Sequence, residues 1–281
     1  MTFTPVTPLS GVAGLRFLEQ TSQSQQESFN NQPQIKRDIA YFKENIGSIT
    51  SAEELVEDRQ LLRVALGAFG LDGEIDKKFF MRKMLEEGTD DDTALANRFV
   101  DPSYGKFSEA FGFGNLSGPQ NGLSGFADTI IEAYKTNQYE IAIGDNDADL
   151  RMALGFKREI TEFANSDGAD TFAWFSVMGN QALRTVFEQA YSLPTEFGSL
   201  DVDAQRDILK DKTSDLFGSS SLSVFNDEKA VNTLVDRFLI LSQLNGNSSA
   251  SFGGSAALSI LSSSQSSATS SLFEILLSNS T

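Results

Sequence analysis

The 281 residues are enough to bury a sizeable core, and an apolar content of 40% is that of a folding globular chain. With 22 Lys+Arg against 39 Asp+Glu the formal charge is −17, which repels phosphate backbones and anionic membrane surfaces, so no nucleic-acid partner is expected. Cysteine and histidine are both absent, which excludes disulfides, thiolate nucleophiles, most hydrolase triads and the usual catalytic zinc sites.

The first residues, MTFTPVTPLSGVAGLRFLEQ, lack a basic region leading into an apolar one, so no secretory signal peptide is expected. No apolar run approaches 18 residues, and no membrane insertion is expected. Residues 1–34 are rich in Ser, Thr, Gln, Asn and Pro and read as a segment that is mobile until docked. Leu15, Phe17 and Leu18 within it are candidate partner-binding groups, with packing on the chain's own core as the competing reading.

From Ile35 a helical period begins, with Ile35, Ile39, Phe42 and Ile46 on one stripe. Ser51 and Glu54 form a capping-box signature ahead of a stripe through Leu55, Leu62, Leu66 and Phe69, and Gly70 offers a left-handed cap. The pattern predicts further helices over about 74–86, in TDDDTALANRF, in DPSYGKFSEAFGFG, and over about 123–143, 147–165, 170–191, 201–216 and 226–245. Alternating strand patterns are missing, so the fold class is all-α.

LLRVALGAFGL (61–71) returns as LRTVFEQAYSL (183–193), where Leu61, Val64, Ala68, Phe69 and Leu71 match Leu183, Val186, Ala190, Tyr191 and Leu193 at a constant offset. RKML (82–85) then matches RDIL (206–209), and ALANRFV (94–100) resembles TLVDRFL (233–239). These matches predict two degenerate helical units in tandem, 35–122 and 181–245, joined by connecting helices over 123–180. Residues 246–281 form a Ser/Gly-rich tail, ending in an apolar cluster of Leu272, Phe273, Ile275, Leu276 and Leu277 that reads as a docking helix.

The candidate chemistry is thin. DNDAD (145–149) begins like a calcium loop, but Leu150 and Phe156 stand where the glycine and glutamate belong, so the carboxylates read as helix starts. GFGNLSG (112–118) follows an aromatic helical stripe instead of a strand and reads as a bend. Trp174 and the 23 phenylalanines read as core. No catalytic residue, metal site or cofactor is expected, and the chain is read as non-enzymatic.

KRDIAYFKENIGSITSAEELVEDRQLLRVALGAFGLDGEIDKKFFMRKMLEEGTDDDTALANRFVDPSYGKFSEAFGF (36–113) resembles a bacterial family catalogued as domain of unknown function number twelve-seventeen, whose genes often lie in flagellar clusters of alphaproteobacteria. The likeness includes SGVAGLRFLEQT (10–21), YEIAIGDNDADLRMALGFKREI (139–160) and LRTVFEQAYSLP (183–194), and leaves out the tail. It carries no activity. It implies a structural or assembly protein of the flagellum, exported without a cleaved signal, that binds other flagellar proteins or copies of itself. The alternative is a cytoplasmic regulator or chaperone that holds a client in a helical groove.

Overall fold

Twelve α-helices and short 3-10 turns make up the described residues of the computed structural model, which are 3–165 and 170–247. They are α1 (Gly11–Asn30), α2 (Pro33–Asn45), α3 (Ala52–Glu57), α4 (Arg59–Ala68), α5 (Lys78–Glu87), α6 (Pro102–Phe111), α7 (Phe126–Gly144), α8 (Ala148–Ala164), α9 (Asp170–Gly179), α10 (Gln181–Ala190), α11 (Val202–Phe217) and α12 (Glu228–Asn247). The all-α class is what the period-3.6 patterning requires. The described residues up to Ser242 cluster as one compact unit.

The N-terminal segment corrects the expectation of a mobile 1–34. Its residues form α1, and Leu15 and Leu18 are buried in the core. Gln25 clamps the chain before α1 against the helix, accepting from Val6 N (2.7 Å) and donating to Val6 O (3.2 Å), while Gln32 Nε2 donates to Phe3 O. Arg16 forks onto Asp236 of α12, and Glu19 pairs with Lys157 of α8. The polar composition suggested mobility because these amide and charged groups find their partners only in the folded chain.

The predicted repeat is present and extends further than the sequence matches. α4 and α10 have ten residues each and start on equivalent caps: Asp58 accepts from Gln60 N and Leu61 N, and Asn180 from Ala182 N and Leu183 N. They also end alike, with Leu71 N donating to Leu66 O and Leu193 N to Glu188 O. The left-handed residue of that ending is Gly70 (φ +73°) in one copy and Ser192 (φ +54°) in the other, the only non-glycine with positive φ among the described residues. Both helices have a C-terminal carbonyl capped from a later helix, Ala68 O by Asn137 of α7 and Ala190 O by Arg237 of α12.

Upstream, IKRDIAYF (35–42) in α2 corresponds to FKREITEF (156–163) in α8. α2 packs on α4 as α8 packs on α10, and α3 touches α4 and α5 as α9 touches α10 and α11. α1 forms a hairpin with α2, α7 forms one with α8, and the two hairpins meet through α2 with α7 and α1 with α8. The second copy therefore begins at α7, so the span expected as connecting helices (123–180) holds its opening elements. The third sequence match fails in space: 94–100 contains only a 3-10 turn (Leu95–Arg98), whereas 233–239 lies inside α12.

Two predicted helices are broken. Asp58 ends α3 and caps α4 while also accepting from Tyr41 Oη at 2.7 Å. The stretch 170–191 divides at Gly179, where a Cβ would lie 2.1 Å from Val100 O, and Asn180 restarts the chain as α10. In both places a tertiary neighbour overrides a continuous apolar stripe.

Candidate docking surfaces

The candidate binding groups of the N-terminus do not come together on a surface. Leu15 and Leu18 are core, Phe17 is half-buried, and Leu272, Phe273, Ile275, Leu276 and Leu277 lie outside the described residues.

Buried polar groups come next, because a site for chemistry needs them. Asp38 on α2 is 1% exposed and is held by Gln34 Nε2 (3.0 and 2.9 Å), Gln60 Nε2 (3.1 Å) and Tyr134 Oη (3.4 Å), with Arg63 at 3.6 Å. It ties α2 to the first turn of α4 and to α7. Burial, aided by the Asp38 charge, pushes the Tyr134 phenol well above its usual range. The equivalent acid in the second copy is Glu159, which accepts from Asn180 Nδ2 at 2.7 Å and from Arg158 at 3.0 Å. Burial raises its pKa against the opposing pull of Arg158, Asn180 and Lys106. Both acids act as struts between a hairpin helix and the N-terminus of the helix packed on it.

Asn137 and Asn121 serve the backbone: Asn137 Nδ2 donates to Gly67 O and Ala68 O, and Asn121 Nδ2 to Ile46 O and Ile49 O. Trp174 is fully buried and donates to Ser220 O at 3.1 Å, as expected of a core residue. Asp147 caps α8 by accepting from Leu150 N, which makes DNDAD a helix start. Among the described residues no group of three or more Asp and Glu is placed to hold a metal ion.

One open cleft of about 600 Å³ lies beside the loop that follows α6, lined by Thr89, Asp90, Glu109, Asn115, Gln120 and Thr129 among others. Here Gly88 and Gly114 cross in backbone contact; a Cβ on Gly114 would sit 2.4 Å from Gly88 N. Asn115 exchanges bonds with Thr89 (2.7 and 3.1 Å), and Asp90 accepts from Leu116 N at 2.6 Å. Asn115 and Asp90 thus hold the loop, whose tip presents Leu116 almost fully to solvent.

Two apolar side chains are well exposed near here, Phe79 on α5 (71%) and Val100 after the 3-10 turn Leu95–Arg98 (77%). Phe80, Phe99 and Tyr104 form a ring cluster with centroids 4.8–6.0 Å apart. The periodicity over about 74–86 predicts this helix but does not single out Phe79. The available signal was KKFF, two adjacent aromatics that cannot share one helical face.

Fold and surfaces together define a helical scaffold built by internal repetition, with polar interior groups that brace helices. The family model of a protein of unknown function (DUF1217) matches residues 68–231, more than half of the chain, and the chain belongs to that family. The chain is also similar to a protein from Agrobacterium tumefaciens solved by X-ray crystallography in a structural genomics programme, at 25% identity and a TM-score of 0.70, covering 86% of this chain and 99% of that one. No curated protein matches. None of the helices searched among the described residues is long and apolar enough to cross a membrane.

Proposed function

We propose that this is a non-enzymatic structural or assembly protein of the bacterial flagellum, exported without a cleaved signal and acting through contacts with other flagellar proteins or copies of itself. The observation that carries the non-enzymatic part is the use of the buried polar groups: Asp38, Asn121 and Asn137 each hold a helix or a backbone carbonyl in place. A duplicated scaffold braced in this way supplies a body on which surfaces are displayed. The flagellar part is supported by the family likeness of residues 36–113. In the same reading the apolar cluster Leu272–Leu277 is a partner-binding segment at the end of a Ser/Gly-rich tether.

The test is fractionation of flagellated cells with immunodetection of the protein in detached flagella, basal bodies and cytosol. Recovery with flagella or basal bodies is the expected result. A purely cytosolic signal sinks the exported-component reading and favours a cytoplasmic regulator or chaperone.

A further inference from the structure

Asn121 lies in the stretch 112–125, which joins α6, the last helix of the first copy, to α7, the first of the second. Its side chain is 4% exposed and staples this link to the turn between α2 and α3, with Nδ2 donating to Ile46 O at 2.6 Å and to Ile49 O at 2.8 Å. Two carbonyls require two N–H groups, so the amide nitrogen must face them. On its other side, Asn121 Oδ1 is buried and has no hydrogen-bond partner among the described residues. The amide thus fixes this part of the link to the first copy while leaving one of its own atoms unsatisfied.

The next residue is Gly122, which is exposed and has no conformational reason to be glycine. Its φ lies outside the left-handed range, and a Cβ there would meet nothing within 4 Å. What the glycine does supply is an unhindered amide nitrogen next to an asparagine. In such a pair the Gly122 nitrogen attacks Asn121 Cγ: the N–Cγ bond forms, the Cγ–Nδ2 bond breaks, and ammonia leaves with the proton given up by the Gly122 nitrogen. Water then opens the cyclic imide at one or other carbonyl to give aspartate or isoaspartate. The sum is amide plus water to carboxylate plus ammonium.

While the staple is closed this reaction is blocked. The side chain is shut off from water, and Nδ2 cannot leave without giving up both hydrogen bonds. An opened link has no such restraint, so the rate follows the fraction of molecules in which the link is open. Conversion also changes what closing requires. A carboxylate only accepts hydrogen bonds, and returning it to this place sets a buried negative charge against two carbonyl oxygens.

We propose that Asn121–Gly122 is a deamidation site gated by the fold, protected while the link between the copies is docked and, once converted in an opened molecule, a lock that keeps the link from closing.

The test uses the purified full-length protein. Parent and Gly122→Ala are aged in mildly alkaline buffer with and without guanidinium chloride. Conversion is followed by peptide mapping with mass spectrometry, which separates Asn121 from Asn245, the other asparagine followed by glycine. The open space at Gly122 means that the alanine variant should melt within a few degrees of the parent. The expected result is conversion of Asn121 about tenfold or more faster in the denaturant than in native buffer, and suppression in the denaturant by Gly122→Ala of about the same size. Both aged proteins are then returned to native buffer and hydrogen exchange is read over 112–125. There the converted parent should exchange about tenfold or more faster than Gly122→Ala, with α8 and α10 alike in both. Asn121→Asp, which installs the acid directly, should show the same loss of protection. The proposal is overturned if Asn121 converts equally fast in native buffer, if Gly122→Ala converts as fast as the parent, or if the converted parent or Asn121→Asp keeps full protection over 112–125. The readout from aged material does not depend on whether Asn121→Asp folds.

Discussion

The two copies fill the space around one shared helix in opposite ways. In the first, α4 presents Ala65, Gly67 and Ala68, and α7 comes so close that a Cβ on Gly67 would lie 2.8 Å from the Tyr134 ring. In the second, the position of Ala65 is Phe187, whose ring meets Phe156, Trp174, Tyr191 and Phe225 at centroid distances of 5.3–5.6 Å. The caps and the lengths of α4 and α10 match while the packing around them does not. What the duplication preserves is the course of the chain; side-chain volume is free to vary provided that each copy is filled.

Substitutions that exchange features between the copies can break or sharpen this contrast. The largest effect is expected for Phe187→Ala, which gives the second copy the first copy's residue without α7 to fill the space and should cost about 3–5 kcal/mol in chemical denaturation. Gly67→Gln makes the reverse exchange, since Gln189 is its counterpart. It drives a side chain into Tyr134 and should cost about 1–3 kcal/mol. Both results together would show that the cores are not interchangeable although the helices are.

Smaller effects are expected at the shared helix ending. Ser192→Gly should stabilise by about 1 kcal/mol by relieving the left-handed backbone, and Gly70→Ser should destabilise by a similar amount. Equal and opposite shifts in the denaturation midpoint would confirm that the endings are equivalent. The smallest effect belongs to the acid struts. Burial raises the folded pKa of Glu159 above its reference value of 4.5, so its neutral form is favoured in the folded state. The linked stability is present below that value and is lost as pH rises through the folded pKa. Glu159→Gln should therefore raise the thermal midpoint at neutral pH, with the gain fading at pH values below the reference. A gain that persists unchanged in acid would contradict burial as the cause.

The sequence made legible what depends on local pattern. The 61–71 and 183–193 match was visible because Leu, Val and Ala recur at one spacing, and the helices over 126–144, 148–164, 202–217 and 228–247 follow their periodicity closely. Features set by tertiary neighbours were hidden. The break at Gly179 depends on Val100, 79 residues earlier. α1 is docked by Leu15 and Leu18 in the core and joined to Lys157 and Asp236, partners that no reading of residues 1–34 supplies. The exposed Phe79 was partly readable, since KKFF (77–80) stands where the second copy has DVDA (201–204), but the contrast acquires meaning only once α5 and α11 are known to be equivalent.

The most direct test of the central claim, that this repeated helical scaffold is an assembly component of the flagellum, is to fractionate flagellated cells and detect the full-length protein in each fraction. The account predicts recovery with detached flagella or basal bodies. A purely cytosolic distribution would contradict it.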